Sequence, residues 1–268
     1  MSELKKYVHD FWNEASCGEN LYLKGSNKDS YLAQMKKRYE LEPYIESFAR
    51  FEDGNGRDVL EIGVGLGADH QRFAQAGARM TGVDLTSRAV EHTRHRLAEF
   101  NLKSNLHEAD AEALPFSDES YDLVYSWGVL HHSPNTAVAI NEVWRVLRRG
   151  GRPRVMIYNK HSLVGYMLWL RYALLAGVPW RSLADIYSHH LESPGTKAYT
   201  ENEARMLFEQ FAEVNISTVL THGDLLDSDA GQRHRGRLLS IAKCLWPRRL
   251  LRLVLPRHGL FMLIEARK

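Results

Sequence analysis

The chain has 268 residues, of which 44% are hydrophobic and 25% charged, and its formal net charge is +2. These values are typical of a soluble globular protein and suit one elaborated α/β domain better than two full domains. The two cysteines, Cys17 and Cys244, are too few and too far apart for a disulfide framework, which favours a reducing cytoplasm. Residues 1–14 contain no apolar core of a signal peptide.

The N-terminal part of the chain is predicted to be a helical cap rich in aromatic residues. It covers residues 1–52 and ends at the turn sequence Asp53-Gly54-Asn55-Gly56. Residues 53–160 are predicted to form the ligand-binding core, 161–200 a helical aromatic lid and 201–268 the completion of the sheet with a basic helical insertion.

Between Arg57 and Tyr158, predicted strands alternate with predicted helices. This alternation indicates parallel βαβ crossovers and a doubly wound sheet. The predicted strands are Val59–Ile62, Met80–Val83, Asn105–Ala109, Tyr121–Ser126 and Arg154–Tyr158, and the predicted helices are Ala68–Ala76, Ser87–Phe100 and Thr136–Leu147, the last ended by Gly150-Gly151.

After Tyr158 the regular alternation is interrupted. The apolar stretch Leu163–Trp180 carries Arg171 at its centre and Pro179 near its end, which disfavours a membrane-spanning helix. A further helix is predicted at Glu201–Phe211, followed by strands at Val214–Leu220 and Leu260–Glu265.

The strongest functional motif is the sequence from Asp58 to Gly67, DVLEIGVGLG. A strand leads into a glycine turn and then a helix, so the backbone can approach a ligand closely while helix N-terminal amides face it. Alone, this pattern also fits a dinucleotide site, because Asp84 lies about twenty residues further on. Three further features argue against a dinucleotide site. They are Asp110 after the third strand, the segment YDLVYSWGVLHH ending at His132, and Gly150-Gly151.

With these four motifs in this order, residues 57–158 resemble class I S-adenosylmethionine-dependent methyltransferases, in particular the small-molecule branch that includes ubiquinone/menaquinone C-methyltransferases. The resemblance implies a Rossmann-like, seven-stranded, mostly parallel α/β sheet with an antiparallel last strand and helices on both faces. It implies S-adenosylmethionine as cofactor and methyl transfer to a small-molecule nucleophile, with the O, N or C acceptor unresolved.

The resemblance also assigns cofactor-binding roles to individual residues. Glu61 would contact the α-ammonium group, Asp84 the ribose hydroxyls, and Asp110 the adenine amine. The others are the glycines of the turn, Gly63, Gly65 and Gly67; Leu85 and Ala111 beside adenine; and Ser126 and Trp127 near the sulfonium.

His131 and His132 follow the fourth strand at the carboxyl edge, where such sheets bind ligands. Either could accept a proton from the nucleophile, or His132 could instead support the backbone beside the site. The sequence predicts no metal site, because the other histidine pair, His189-His190, lacks a third ligand at metal spacing.

Several alternatives remain open. The same fold can use S-adenosylmethionine for intramolecular cyclisation or aminocarboxypropyl transfer, which release methylthioadenosine. A nicotinamide-dependent dehydrogenase and a non-catalytic binding subunit are the other rivals. Nucleic acid is disfavoured as a substrate, since the fourth strand lacks the Asn/Asp-Pro-Pro-aromatic signature of base-modifying enzymes and no nucleic-acid-binding module is evident.

The last feature is a basic, leucine-rich segment, residues 233–257. Eight Lys or Arg and no Asp or Glu lie between Ala230 and Ile264. Such a segment could contact an anionic membrane surface as a peripheral helix, or be an ordinary solvated helix face. The expected location is therefore cytoplasmic, with peripheral membrane contact as an option; the sequence leaves the oligomeric state open.

Overall fold

The computed structural model describes residues 2–227 and 246–268. Within these ranges a seven-stranded sheet has the order β3-β2-β1-β4-β5-β7-β6. Strands β1 to β5 run parallel, and β7 pairs antiparallel with both β5 and β6. This is the predicted fold. The strands are β1 Asp58–Ile62, β2 Arg79–Asp84, β3 Asn105–Glu108, β4 Tyr121–Trp127, β5 Leu147–Tyr158, β6 Ala212–Val219 and β7 Phe261–Arg267.

Helices cover both faces of the sheet and its carboxyl edge. They are α1 Glu3–Glu14, α2 Glu19–Tyr22, α3 Lys28–Leu41, α4 Tyr44–Ala49, α5 Ala68–Gln75, α6 Ser87–Glu99, α7 Thr136–Val146, α8 Leu163–Trp169, α9 Leu183–His190, α10 Glu201–Leu207, α11 His222–Leu225 and α12 Arg248–Val254. Short 3-10 turns lie at Phe51–Gly54 and Leu130–His132, and a π-helical turn at Leu170–Leu174 extends α8.

The central strands are apolar on both faces because helices cover both. On one face, Leu60, Val124 and Val155 pack with α7 and α10; on the other, Val59 and Leu123 pack with α4 and α5. This burial fixes β1 and β4 at the centre of the sheet, so their carboxyl ends meet at one edge.

The prediction for β5 was wrong at its start. The helix before it ends at Val146, and the strand begins at Leu147, whose backbone is already extended. Tyr121 pairs with Leu147 and Leu123 pairs with Arg152, so β5 advances five residues where β4 advances two. The Gly150-Gly151 pair therefore lies in a bulge, with Gly150 at φ 78°, and does not end a helix.

The N-terminal helices and the lid both reach the carboxyl edge of the sheet. An added Cβ on Gly195, in the lid, would lie 2.9 Å from the Leu4 side chain of α1. The Trp12 ring of α1 lies 5.3 Å from the ring of His132. No helix in the two described ranges is long and apolar enough to cross a membrane.

Candidate functional site

A cavity of about 540 Å³ lies at the carboxyl edge of the sheet. Its floor is formed by the ends of β1, β2 and β4, and its walls come from α1 to α3 and from the lid. This is the position at which open α/β sheets bind ligands, beside the point where strand order reverses. Ten of the twelve residues predicted for the site line it: Glu61, Gly63, Gly65, Gly67, Asp84, Leu85, Asp110, Ala111, Trp127 and His132.

The glycine turn brings the backbone to the cavity and starts α5. Gly63, at φ 84°, passes so close to Val129 that an added Cβ would lie 2.1 Å from its methyl carbon. Gly67, at φ 72°, is the residue immediately before α5. Gly65, at φ 50°, has no atom within 4 Å of an added Cβ and faces open space. The turn therefore leaves room for a ligand directly over Gly65.

Asp84, at the end of β2, is held in place by hydrogen bonds from the glycine turn and from Thr86. Its Oδ1 accepts hydrogen bonds from the backbone amide and the hydroxyl of Thr86, at 3.0 and 2.8 Å. Its Oδ2 accepts from the Gly65 amide at 3.2 Å. Burial raises the pKa of this carboxyl, and the hydrogen bonds from Thr86 and Gly65 oppose that rise. The carboxylate is thus held in one orientation at the cavity wall.

Glu61, on β1, is hydrogen-bonded to His70, a buried histidine that the sequence did not indicate as a site residue. His70 Nδ1 lies 2.8 Å from Glu61 Oε2, and His70 Nε2 lies 2.8 Å from the Ser104 hydroxyl. Because Ser104 donates its own proton to the Met80 carbonyl, it accepts from His70 Nε2. In a neutral imidazole Nδ1 is then an acceptor.

The pKa directions agree with that assignment. Burial lowers the pKa of His70 to about 3, so its ring is neutral. Burial, with Asp69 nearby, raises the pKa of Glu61 well above its ordinary value. These directions favour a neutral pair in which Glu61 carries the proton and donates it to His70.

Asp110 is contacted by the N-terminal helix. Lys5 Nζ donates to Asp110 Oδ2 at 2.5 Å and to Glu112 Oε2 at 2.6 Å. Lys5 thereby joins α1 to the loop after β3, and its side chain is only 14% exposed. Neither Lys5 nor Glu112 was predicted as a site residue, since the pairing partners are 105 and 107 residues apart in sequence.

Two predicted residues do not line the cavity. Ser126 is fully buried in β4 and donates its hydroxyl proton to the Ile62 carbonyl at 3.0 Å. It therefore supports the end of β1. His131 is also fully buried, with its ring centre 4.0 Å from that of Tyr158 and the two ring planes tilted by 40°. Its predicted role as a proton acceptor from substrate would require the side chain to line the cavity, and it does not.

The lid end of the cavity is formed by aromatic rings and a carboxylate. His132 lies beside Glu192, with 3.2 Å between Nε2 and a carboxylate oxygen, and Tyr158 donates its hydroxyl proton to the same oxygen at 2.7 Å. Trp127 stacks with Tyr44 at 6.0 Å. Glu192 was missed because nothing in a single sequence pairs it with residue 132.

A buried ion pair anchors α3 beside the cavity and was also missed. Arg38 donates two hydrogen bonds to Asp69, at 3.2 and 2.8 Å, and the hydroxyls of Tyr39 and Tyr125 donate to the same carboxylate at 2.9 Å. The nearby Glu42 also lines the cavity, and burial raises its pKa to about 7. This network fixes the N-terminal helices onto α5.

Residues 60–154 match a family model described as a methyltransferase domain. Among curated proteins, the demethylmenaquinone methyltransferase of Tropheryma whipplei (strain Twist) is 33% identical over 123 residues, which cover 44% of this chain and 50% of that protein. The chain thus spans about half the length of the curated relatives it matches.

Solved structures with the same fold cover nearly the whole chain. Magnesium protoporphyrin IX methyltransferase from Synechocystis PCC 6803, with bound S-adenosylhomocysteine, superposes with a TM-score of 0.59 at 16% identity, covering 99% of this chain and all of that one. The cyclase SpnF superposes with a TM-score of 0.56 at 17% identity, covering 88% of this chain and 81% of that one. At these identities the likeness concerns the fold.

Proposed function

We propose that this chain, whose core is a class I S-adenosylmethionine-dependent methyltransferase domain, transfers a methyl group from S-adenosylmethionine to a small-molecule nucleophile. The observation that carries the proposal is the arrangement of Glu61, Gly65 and Asp84 around one cavity at the carboxyl edge of the sheet. The cavity continues from these residues to the lid, so donor and acceptor can lie in the same enclosed space.

The residues present fit the proposed cofactor. Open space over Gly65 would accept the methionine and ribose portions without displacing a side chain. Asp84 could bind two ribose hydroxyls, Leu85 and Ala111 would contact adenine, and Asp110 would accept from its amine. Glu61, protonated in the absence of a ligand, could become the counter-ion of the α-ammonium group.

When bound, the cofactor supplies an activated methyl group on a sulfonium centre. The chain's own residues then have to align the acceptor and exclude water. Trp127, Tyr44 and Phe261 form an apolar wall near the end of β4, with ring centres about 6 Å apart. Of the two predicted catalytic histidines, only His132 lines the cavity, so we assign contact with the acceptor to His132 and its neighbour Glu192.

We also propose that α1 and the residues 161–200 act together as a lid. Lys5 holds α1 to the core at Asp110, and Glu192 connects the lid to His132 and Tyr158. Loosening either would open the cavity to water.

The alternative use of the same cofactor remains a second hypothesis. The cyclase SpnF has this fold, so the fold alone does not distinguish methyl transfer from other chemistry. The products differ: methyl transfer releases S-adenosylhomocysteine, whereas aminocarboxypropyl transfer releases methylthioadenosine.

Peripheral membrane contact stays a prediction. Residues 233–245 of the basic segment lie outside the described residues. In the described part, α12 exposes Leu250, Leu253 and Val254 beside Arg249 and Arg252. Exposed leucines next to arginines are the pattern that prompted the prediction.

The binding experiment is a calorimetric titration with S-adenosylhomocysteine. We expect wild-type protein to bind it and Asp84→Asn to bind it about 10- to 100-fold more weakly, because a carboxylate hydrogen bond contributes about 1.5–3 kcal/mol. Asp118→Asn is the matched control, since Asp118 is exposed and pairs with Arg145 away from the cavity. Equal affinity in folded Asp84→Asn would contradict the assignment of Asp84 to cofactor binding. Preferential binding of NAD by the wild type would contradict S-adenosylmethionine as the cofactor.

A further inference from the structure

A cluster of three potential metal ligands lies at the lid end of the cavity. His131, His132 and Glu192 each present a ligand atom within 4.8 Å of the other two. His131 and His132 follow β4, whereas Glu192 comes from the lid after α9. The two histidines are buried, and Glu192 is partly exposed towards the cavity.

Hydrogen bonds orient the ring of His132. Its Nδ1 lies 3.1 Å from the Thr196 hydroxyl and 2.9 Å from the Ser193 hydroxyl. These two contacts hold the ring so that Nε2 faces the Glu192 carboxylate, 3.2 Å away.

Nε2 of His132 is buried and makes no hydrogen bond among residues 2–227 and 246–268, although the Glu192 oxygen lies 3.2 Å away. The ring nitrogen that faces the carboxylate is therefore the one available to a metal ion. The hydroxyls at Nδ1 are the kind of partner that orients a metal-binding histidine.

His131 supplies an independent observation. Its ring is fully buried, and neither ring nitrogen has a hydrogen-bond partner in the described part of the chain. A buried polar nitrogen without a hydrogen-bond partner destabilises the folded state. A metal ion bound to one of these two nitrogens would give the buried ring a polar partner.

We propose that His131, His132 and Glu192 bind one divalent transition-metal ion of the zinc class. Two imidazoles and one carboxylate suit such an ion, whereas Mg²⁺ and Ca²⁺ prefer oxygen ligands. Ligand atoms around zinc lie at most about 4.2 Å apart, since each bond is about 2.0–2.1 Å, so side-chain shifts of a few tenths of an ångström would suffice for binding. His132 and Glu192 line the cavity, which leaves a further coordination position for a ligand from that side.

The consequence for the reaction rests on the proposed function. An ion at this position would bind an acceptor hydroxyl or carboxylate oxygen and lower the pKa of a hydroxyl, so the acceptor class would be an oxygen nucleophile. The ion would also join the lid to the carboxyl edge of the sheet.

The experiment uses the full chain, freed of purification tags and of bound metal, without any cofactor. We expect Co²⁺ to bind with one-to-one stoichiometry, to give the visible absorption of a protein-bound ion, and to be displaced by Zn²⁺. Glu192→Gln should weaken Zn²⁺ binding at least tenfold, and His131→Asn should weaken it further. His189→Asn is the matched control, because that exposed histidine lies outside the cluster and should leave binding unchanged.

Absence of one-to-one binding to the wild-type chain would overturn the proposal, as would wild-type affinity in Glu192→Gln. Thermal unfolding and S-adenosylhomocysteine binding are measured for each variant to show that it is folded. Because metal binding is read directly, a chain that binds the homocysteine product but no metal would overturn this inference alone. A chain that binds the metal but not the product would contradict the proposed function alone.

Discussion

At the scale of single residues, the site depends on where protons lie. Glu61 and His70 form a neutral buried pair, although their residue types suggest an ion pair. A positively charged ligand group beside Glu61 would favour its carboxylate form. The carboxyl would then release its proton, and the neutral His70 ring would change tautomer so that Nδ1 donates to Glu61 and Nε2 accepts from Ser104.

This leads to a proton-release prediction. Cofactor binding should release close to one proton, and affinity should rise with pH until the pH exceeds the pKa of Glu61 in the free protein. Calorimetry in buffers of different ionisation enthalpy measures the released proton. Glu61→Gln should abolish the buffer dependence and weaken binding, whereas the exposed Glu46→Gln should change neither. The same observed enthalpy in every buffer would show that Glu61 is already ionised.

The residues that sequence reasoning identified are those whose role depends on local spacing. Gly63, Gly65, Gly67 and Asp84 follow β1 and β2 directly, so their meeting at one edge could be predicted. Lys5, Glu192 and Arg38 could not, because their contacts with Asp110, His132 and Asp69 depend on how the caps pack. Ser126 and His131 were assigned to the cavity because a motif gives position along a strand but not which face a side chain occupies.

At the scale of elements, a positive φ angle and space for a ligand are two separate reasons for a glycine. Gly65 and Gly150 both have positive φ, 50° and 78°, and neither would place a Cβ within 4 Å of another atom. Only Gly65 faces the cavity. Alanine at either position costs about 1–2 kcal/mol of folding stability through backbone strain.

We therefore expect Gly65→Ala and Gly150→Ala to lose similar stability in denaturant unfolding, but only Gly65→Ala to bind S-adenosylhomocysteine more than tenfold more weakly. The reason is that its methyl group occupies space needed by the ligand. Undiminished affinity in Gly65→Ala would place the ligand elsewhere in the cavity.

The N-terminal helix α1 gives a second prediction at this scale. Lys5→Gln removes the charge that links α1 to Asp110 and Glu112, so amide exchange in Glu3–Glu14 should become faster and the bound product should dissociate several-fold faster. Lys6→Gln is the matched control, because Lys6 is exposed on the same helix. If exchange in α1 is the same in all three proteins, Lys5 does not hold the helix in place.

The predicted elements were most accurate where burial on both faces gave a clear pattern, as in β1 and β2. The start of β5 was predicted wrongly because glycines after a helix usually mark its end. Here Gly150 makes a bulge that pairs with the C-terminus instead, through its amide and the Lys268 carbonyl at 2.7 Å. That pairing joins parts of the chain too far apart for local sequence to indicate.

At the scale of the whole molecule, the sheet supplies a rigid edge and the caps supply an enclosure. Glu61, Asp84 and Asp110 come from consecutive strands of the sheet, whereas Lys5, Arg38 and Glu192 come from the caps. This division suits a reaction in which the sheet edge holds the cofactor in a fixed position and the cap residues determine which acceptor binds. We therefore propose that residues 2–52 and 161–200 specify the acceptor.

The central claim is methyl transfer from S-adenosylmethionine, and product analysis tests it most directly. The purified chain is incubated with donor labelled in its methyl group and a fractionated metabolite extract, and both products are identified by mass spectrometry. We expect S-adenosylhomocysteine to form together with a methyl-labelled small molecule, and Asp84→Asn to form less of both. Formation of methylthioadenosine in place of S-adenosylhomocysteine, with no labelled acceptor, would contradict the account.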